Sequence, residues 1–334
     1  MSDNRSLWGY CKVAACGFAM GVANVIPGVS GGTMAFILGI FEELINSIGK
    51  IVSSDTLKKL VHGEFRTLYR TLPWKFLLAL FIGVGAALAS AAALFTWLLA
   101  NYQSLTYAFF FGLILASIFV MFKDIRKWNL TAILGLAAGA AFAGWLVSMV
   151  PASTPNVWYL SLGCGAIVIC AMILPGISGS FLLLLFGQYN YVWGAVANFG
   201  KLHFNWPDFW TLLWTAAGAA IGLGAFVHLL HFLLGKFRNA TMSTLIGFMI
   251  GSLWRLWPWQ ETVRWAVKTP TGKIEVPNEL ICNYAGNKME QLVVKNVWPS
   301  MDKMFFLTLA VLTAGAVIVL IIEFAAAKKN RKEA

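Results

Sequence analysis

Apolar residues run through this chain in stretches too long for a soluble core and, in two places, too long for one helix. Residues 8–49 and 157–199 are each largely apolar, and each is interrupted by a Pro-Gly-x-Ser-Gly break. The first reads Pro27-Gly28-Val29-Ser30-Gly31-Gly32-Thr33 and the second Pro175-Gly176-Ile177-Ser178-Gly179-Ser180. A membrane-spanning helix needs about 20 mostly apolar residues, so each run predicts two helical arms meeting at the break, a re-entrant hairpin. Six further runs, 76–100, 106–122, 130–150, 209–235, 240–256 and 304–326, predict transmembrane helices. Residues 54–70 place Leu57, Leu60, Val61, Phe65 and Leu68 on one helical face and Lys58, Lys59, His62, Arg66 and Arg70 on the other. That is the pattern of an interfacial amphipathic helix, and equally of a solvated helix packed on the protein itself. The long polar segment 257–303 opens with Trp257-Pro258-Trp259 and predicts an external loop.

The two halves of the chain repeat each other. At an offset of 148, Gly17, Ala23, Pro27, Gly28, Ser30, Gly31 and Gly39 meet Gly165, Ala171, Pro175, Gly176, Ser178, Gly179 and Gly187. At an offset of 135, Gly83, Gly112 and Ser117 meet Gly218, Gly247 and Ser252, so the first half carries an insertion where 54–70 falls. The uncharged linker 151–156 separates a first repeat, 1–150, from a second, 157–326. A hairpin that enters and leaves on one side adds no net crossing, and three helices come after it. The second repeat is therefore inverted. The expected fold is an all-α polytopic membrane protein of two inverted repeats, each a broken-helix hairpin followed by three transmembrane helices.

Charge gives the orientation. With both termini in the cytoplasm, seventeen Lys/Arg fall inside and eight outside, and seven of those eight belong to 255–303. Long loops are weakly bound by the positive-inside rule, so this arrangement obeys it. Composition agrees with a membrane protein: 59% of residues are hydrophobic and 12% charged, against roughly 25% charged in a soluble domain. The net charge of +11 then reflects cytoplasmic loops facing anionic lipid, and nothing resembles a nucleic-acid module. Four of the five cysteines lie in apolar runs, where Cys is usually a small buried hydrophobe, and Cys282 alone sits in a polar loop. No metal spacing is present and no cofactor is expected. Lys12 interrupts the only stretch resembling a signal-peptide core, so the N-terminus is expected to be retained.

At each break Pro and Gly end one arm, and Ser-Gly opens the next. Opening residues expose backbone N–H groups at the positive end of the helix dipole. Ser30, Thr33, Ser178 and Ser180 add hydroxyls, and Gly31, Gly32 and Gly179 let a ligand approach the backbone. Such termini suit phosphate or carboxylate, and broken helices in corresponding halves point to a transporter's site. The alternative is that Gly and Ser serve only close helix packing. Glu42 and Glu43 either carry protons or pair with a cation, and Arg255 either attracts a phosphate or snorkels among Trp254, Trp257 and Trp259. His228 and His231 share a helix face without a carboxylate partner, which favours packing over metal binding.

The stretch Ala23-Asn24-Val25-Ile26-Pro27-Gly28-Val29-Ser30-Gly31-Gly32-Thr33, running on to Gly39-Ile40-Phe41-Glu42-Glu43-Leu44-Ile45, resembles the signature of the PopT family. Leu174–Phe181 and Gly187-Gln188-Tyr189 resemble its second signature, and the likeness covers nearly the whole chain. Membership implies a translocase that returns undecaprenyl phosphate to the cytoplasmic leaflet of the bacterial membrane, with polyprenyl phosphate and membrane lipids as partners. The substrate site expected at the breaks comprises Asn24, Ser30, Gly31, Gly32, Thr33, Ser178, Gly179 and Ser180, with Arg255 as a further candidate outside both signatures. Members often carry Asp where this chain has Asn24, and a neutral amide does not shuttle a proton at ordinary pH. Whether the chain forms a homo-oligomer is left open.

Two other classes compete. Undecaprenyl-diphosphate phosphatases also use inverted repeats and Pro-Gly-x-Ser, but theirs continues Arg-Ser-Gly, and here no Arg or His adjoins either motif. A small-anion channel or carrier would also gather helix N-termini at a Ser-Gly-Pro break. A purely structural assembly protein has no need of two matched breaks.

Overall fold

The structure, a computed structural model, describes residues 5–25, 30–123, 125, 127–149, 152, 154–200, 203–269, 272–277 and 289–333. The first hairpin comprises α1 (Leu7–Val25), α2 (Gly31–Ile37) and α3 (Phe41–Ile51), with α4 (Ser54–Val61) and α5 (Phe65–Thr71) after it. Next come α6 (Trp74–Asn101), α7 (Gln103–Phe122) and α8 (Leu130–Ser148). The second hairpin is α9 (Trp158–Ile173), α10 (Gly179–Leu185) and α11 (Tyr189–Gly200), followed by α12 (Trp206–Lys236) and α13 (Arg238–Ser252). Strands β1 (Gln260–Thr269), β2 (Gly272–Pro277) and β3 (Met289–Asn296) precede α14 (Lys303–Glu333).

Among the described residues, α7, α8, α12 and the Lys303–Ile321 part of α14 are long and apolar enough to cross a membrane. A fifth span arises if α5 and Trp74–Ser90, bent by 72°, are counted together. The chain is a multi-pass membrane protein.

Three expectations need correction. The all-α fold class does not hold throughout: β1 lies between β2 and β3 in an antiparallel sheet, in an otherwise helical chain. Val263, Trp265 and Val267 alternate with polar or small residues along β1, the period of a strand. The helix expected at 240–256 stops at Ser252; its 15 residues, at about 1.5 Å each, fall short of a hydrocarbon core of about 30 Å. Its apolar residues, Met242, Leu245, Ile246 and Met249, are buried in protein instead. The amphipathic helix over 54–70 is two helices, because the chain turns at Gly63 with φ 72°. On α5 Leu68 is buried while Phe65 and Tyr69 are exposed, so Phe65 and Leu68 do not share a buried face.

The second arm of each hairpin is also bent, at matching places. Gly39 (φ 71°) and Gly187 (φ 68°) come after α2 and α10 in the left-handed region that glycine reaches without strain. Their N–H groups donate to Phe36 and Leu184, and the next residues, Ile40 and Gln188, donate to Ala35 and Leu183. This is the hydrogen-bond pattern of a Schellman cap.

Small residues set the helix packing, and they do so in matched pairs. A Cβ on Gly17 would strike the Leu80 carbonyl, and one on Gly83 the Ala14 carbonyl, so α1 lies directly against α6. The same relation holds between α9 and α12, where Gly165 faces the Thr215 carbonyl and Gly218 the Leu162 carbonyl. A second pair of matches joins later helices. Gly112 and Gly315 face the carbonyls of Leu312 and Phe109, joining α7 to α14; Gly247 and Gly139 face those of Leu136 and Thr244, joining α13 to α8. Close backbone approach of this kind is how membrane helices associate without a hydrophobic driving force.

The chain divides into two compact units, Met1–Leu98 with Ile114–Arg255, and Leu99–Leu113 with Leu256–Ala334. The first holds both hairpins. Its cluster around the second break includes Leu146 of α8, Val168 and Ala171 of α9, Ile177, and Leu182 and Leu185 of α10. In the second unit Trp257 donates to the Val297 carbonyl at 2.9 Å, and Trp259 stacks on Phe305 with ring centroids 5.7 Å apart. Cys164 is buried, Cys16 and Cys170 are half-buried and Cys11 is exposed, which departs from the expectation for Cys11; Cys282 lies outside the described residues.

Candidate functional site

Pro27, Gly28 and Val29 lie outside the described residues, and the described part of the first break begins at Ser30. Ser30 is the N-cap of α2: its backbone is extended and its Oγ accepts from Gly32 N at 3.1 Å. Ser178 caps α10 in the same way, through a longer contact of 3.5 Å from Phe181 N. Serine is among the preferred residues here because its oxygen takes one of the N–H groups that the first helical turn leaves without an acceptor.

The two breaks touch. Ser30 Oγ donates to the Leu174 carbonyl at 3.1 Å, with that of Met172 at 3.4 Å. In return Gly176 N donates to Thr33 Oγ1 at 2.8 Å. Ser30 and Thr33 are 1% and 0% exposed, so these bonds form away from solvent. Glycine makes the approach feasible. A Cβ on Gly32 would lie 3.1 Å from the Leu174 carbonyl oxygen and closer still to that of Ile173. One on Gly176 would lie 2.5 Å from the Phe248 oxygen of α13.

Asn24, near the end of α1, closes the first break from the other side. Its Oδ1 accepts from Gly31 N at 2.8 Å, and a Cβ on Gly31 would come within 2.9 Å of its amide. The first two N–H groups of α2 are thus held by Asn24 and Ser30, and the hydroxyl of Ser30 is directed at Leu174. At the second break Ser178 Oγ and Ser180 Oγ are 2.9 Å apart, and Ser180 is half-buried. The N–H groups of Gly179 and Ser180 stand in the first turn, where no intrahelical acceptor is available. The second break therefore retains more donors for an incoming anion than the first.

The remaining candidates sit apart from this contact. Glu43 pairs with Arg5, and both its oxygens lie 2.7 Å from Nη2. Glu42 pairs with Arg238 at 2.6 Å. These are the cation partners that one reading of the two carboxylates anticipated. Arg255 lies in the turn after α13, its backbone N donating to Ser252. His228 Nδ1 contacts the Gly224 carbonyl of its own helix, and no metal-binding cluster occurs among the described residues.

Sequence reasoning missed a polar strap beside α10. Gln188, 1% exposed, donates to Thr154 Oγ1 at 2.9 Å and to the Pro155 carbonyl at 3.1 Å. Thr154 Oγ1 in turn donates to the Phe186 carbonyl, which fastens residues 154–155 to the corner at Gly187. The available signal was an amide directly after the second hairpin's apolar run, in the Gly187-Gln188-Tyr189 stretch.

A membrane protein with several spans, whose two discontinuous helices start at serine caps and meet in the buried interior, has the build of a transporter core. The chain belongs to the undecaprenyl phosphate translocase-like family (VCA0040-like), whose model matches residues 20–274. It is 42% identical over 260 residues to a polyprenyl-phosphate transporter of Vibrio cholerae serotype O1, covering 78% of this chain and 82% of the relative. It is 32% identical over 272 residues to a polyprenyl-phosphate transporter of Staphylococcus aureus, covering 75% and 88% respectively. No solved structure matches the chain.

Proposed function

We propose that this protein moves polyprenyl phosphate, undecaprenyl phosphate in particular, across the bacterial cytoplasmic membrane so that the lipid carrier is reused in envelope glycan synthesis. The observation that carries the reading is the direct contact of two broken helices, Ser30 to Leu174 and Gly176 to Thr33, within the buried interior. The curated relatives are named as transporters rather than phosphatases, which removes the main enzymatic alternative. An anionic head on a hydrocarbon tail needs helix-end donors inside the protein and access from lipid. Ser178, Gly179 and Ser180 form the first contact for the phosphate. Asn24, Ser30, Gly31, Gly32 and Thr33 hold the opposing wall, and those of their donors now engaged within the protein become available when the two breaks separate. Arg255 attracts the phosphate as it approaches.

The matched glycine contacts support two inverted repeats, 1–150 and 157–326; with α13 crossing as a protein-sheathed segment shorter than a lipid-facing span, each repeat keeps three crossings and both termini are cytoplasmic. Each repeat contributes one broken helix, and each last helix (α8 or α14) packs on α13 or α7 of the other repeat. The test is a leaflet assay in proteoliposomes with a short-chain polyprenyl phosphate, at matched and at unequal pH. Protein-dependent movement of the lipid is expected; halide or phosphate currents without lipid movement would replace this reading with an anion channel. Cysteine labelling tests the orientation: Gln103 should react with an impermeant external reagent, and Thr67 and Asn129 should not.

A further inference from the structure

We propose that the apolar groove between α8, α9 and α10 holds the first isoprene units of the lipid while its phosphate lies at the second break; this rests on the transport function proposed for the chain. The groove has a volume of about 410 Å³, and the described side chains lining it are apolar apart from the Cys170 thiol, which donates to the Ala166 carbonyl of its own helix. Pockets for small ligands run from about 300 to 1,000 Å³, so it holds the part of a polyprenyl chain nearest the phosphate and leaves the rest in the bilayer.

Position identifies the occupant. Leu174 and Ile177 line the groove and bracket Pro175-Gly176, and Ile177 directly precedes the cap Ser178. The Leu174 carbonyl is the acceptor of Ser30 Oγ, so one residue shows its side chain to the groove and its backbone to the polar contact. Trp145, Met149 and Ile167, also in the groove lining, are 58%, 40% and 50% exposed and form an open rim. Polar donors beside one apolar channel with an exposed rim are the parts that a single-chain lipid monophosphate needs. A glycerophospholipid presents two chains beneath a glycerol, and among the described residues lining the groove only the Cys170 thiol is polar.

The test uses the purified full-length protein and farnesyl phosphate. Ile167→Trp fills the rim while leaving Ser178 itself unaltered, and Ile167→Ala leaves the rim open. Excluding one five-carbon unit of apolar surface weakens binding by up to about a thousandfold, so even partial exclusion by Ile167→Trp should cost at least about tenfold and Ile167→Ala far less. Wild-type affinity in Ile167→Trp, together with a loss in Ser178→Ala, overturns the groove and leaves the phosphate site standing. Absence of farnesyl phosphate and polyprenyl phosphate binding by the wild type overturns both. A benzophenone amino acid at Met149 gives a second readout that leaves Ile167 intact. Polyprenyl phosphate should be the cross-linked lipid, whereas a phosphatidylglycerol adduct that polyprenyl phosphate does not displace overturns the proposal.

Discussion

Replacing Thr33 with valine removes one hydroxyl and leaves the shape of the side chain almost unchanged. Thr33 is fully buried, and its Oγ1 is the acceptor for Gly176 N at 2.8 Å. Thr33→Val therefore strands a buried backbone N–H at the second break with no room for water to replace the lost oxygen. Leaving such a donor unsatisfied costs about 1–3 kcal/mol, more than the net gain of roughly 1 kcal/mol from an average hydrogen bond. Thr33→Ser keeps the acceptor and loses one methyl, which costs about 0.8 kcal/mol in buried surface. The expected order is wild type, then serine, then valine, the reverse of what side-chain volume alone predicts. Equilibrium unfolding in mixed micelles, followed by tryptophan fluorescence, measures it. Ser30→Ala removes the other bond across the same contact, so the double variant should be non-additive, as neighbours in one network are. A Thr33→Val protein as stable as wild type, or more stable than Thr33→Ser, would refute the contact between the breaks.

Three further outcomes are expected. Ser178→Ala should weaken polyprenyl phosphate binding by about tenfold to a hundredfold, the effect of losing a hydrogen bond to a charged group, and more than Ser30→Ala, whose hydroxyl already serves Leu174; equilibrium binding of the lipid separates them. Asn24→Asp retains an acceptor for Gly31 N and should fold like wild type with a steeper pH dependence of transport, whereas Asn24→Leu loses about 1 kcal/mol of stability; an unchanged pH profile in Asn24→Asp removes this position from proton coupling. Glu43→Gln breaks the half-exposed pair with Arg5 and should cost no more than about 1 kcal/mol while the pH profile of transport stays as it was; a flattened profile would make Glu43 a proton carrier instead of an anchor.

Much of the fold can be read from run length alone. The expected helix at 106–122 is α7 at Gln103–Phe122, and that at 130–150 is α8 at Leu130–Ser148, because long apolar runs admit few other structures in lipid. Gly39 and Gly187 were visible as equal spacings and prove to be equal bends. The sheet at 260–296 was missed because the segment was weighed for polarity and not for its period of two. Helix α13 is shorter than its apolar run, and hydropathy does not distinguish burial in protein from burial in lipid. In the candidate site the serines and glycines were legible, but their partners were not. Ser30 and Leu174 are 144 residues apart, Thr33 and Gly176 143, and no local pattern encodes which group accepts a hydrogen bond from which over that distance.

The pairing of α7 with α14 and of α8 with α13 has a consequence for synthesis. Helices leave the ribosome in order, so α7 enters the bilayer long before α14 exists. Until then the glycine face of Gly112 has only lipid or an insertion factor against it, and α8 likewise waits for α13. A nascent chain cut after α8 would hold two unmatched helix faces and no finished half. Assembly must be largely post-insertional, with the last helix closing a contact prepared by the seventh. Chains truncated before Lys303 are accordingly expected to be cleared by membrane quality control rather than to accumulate as a stable first half.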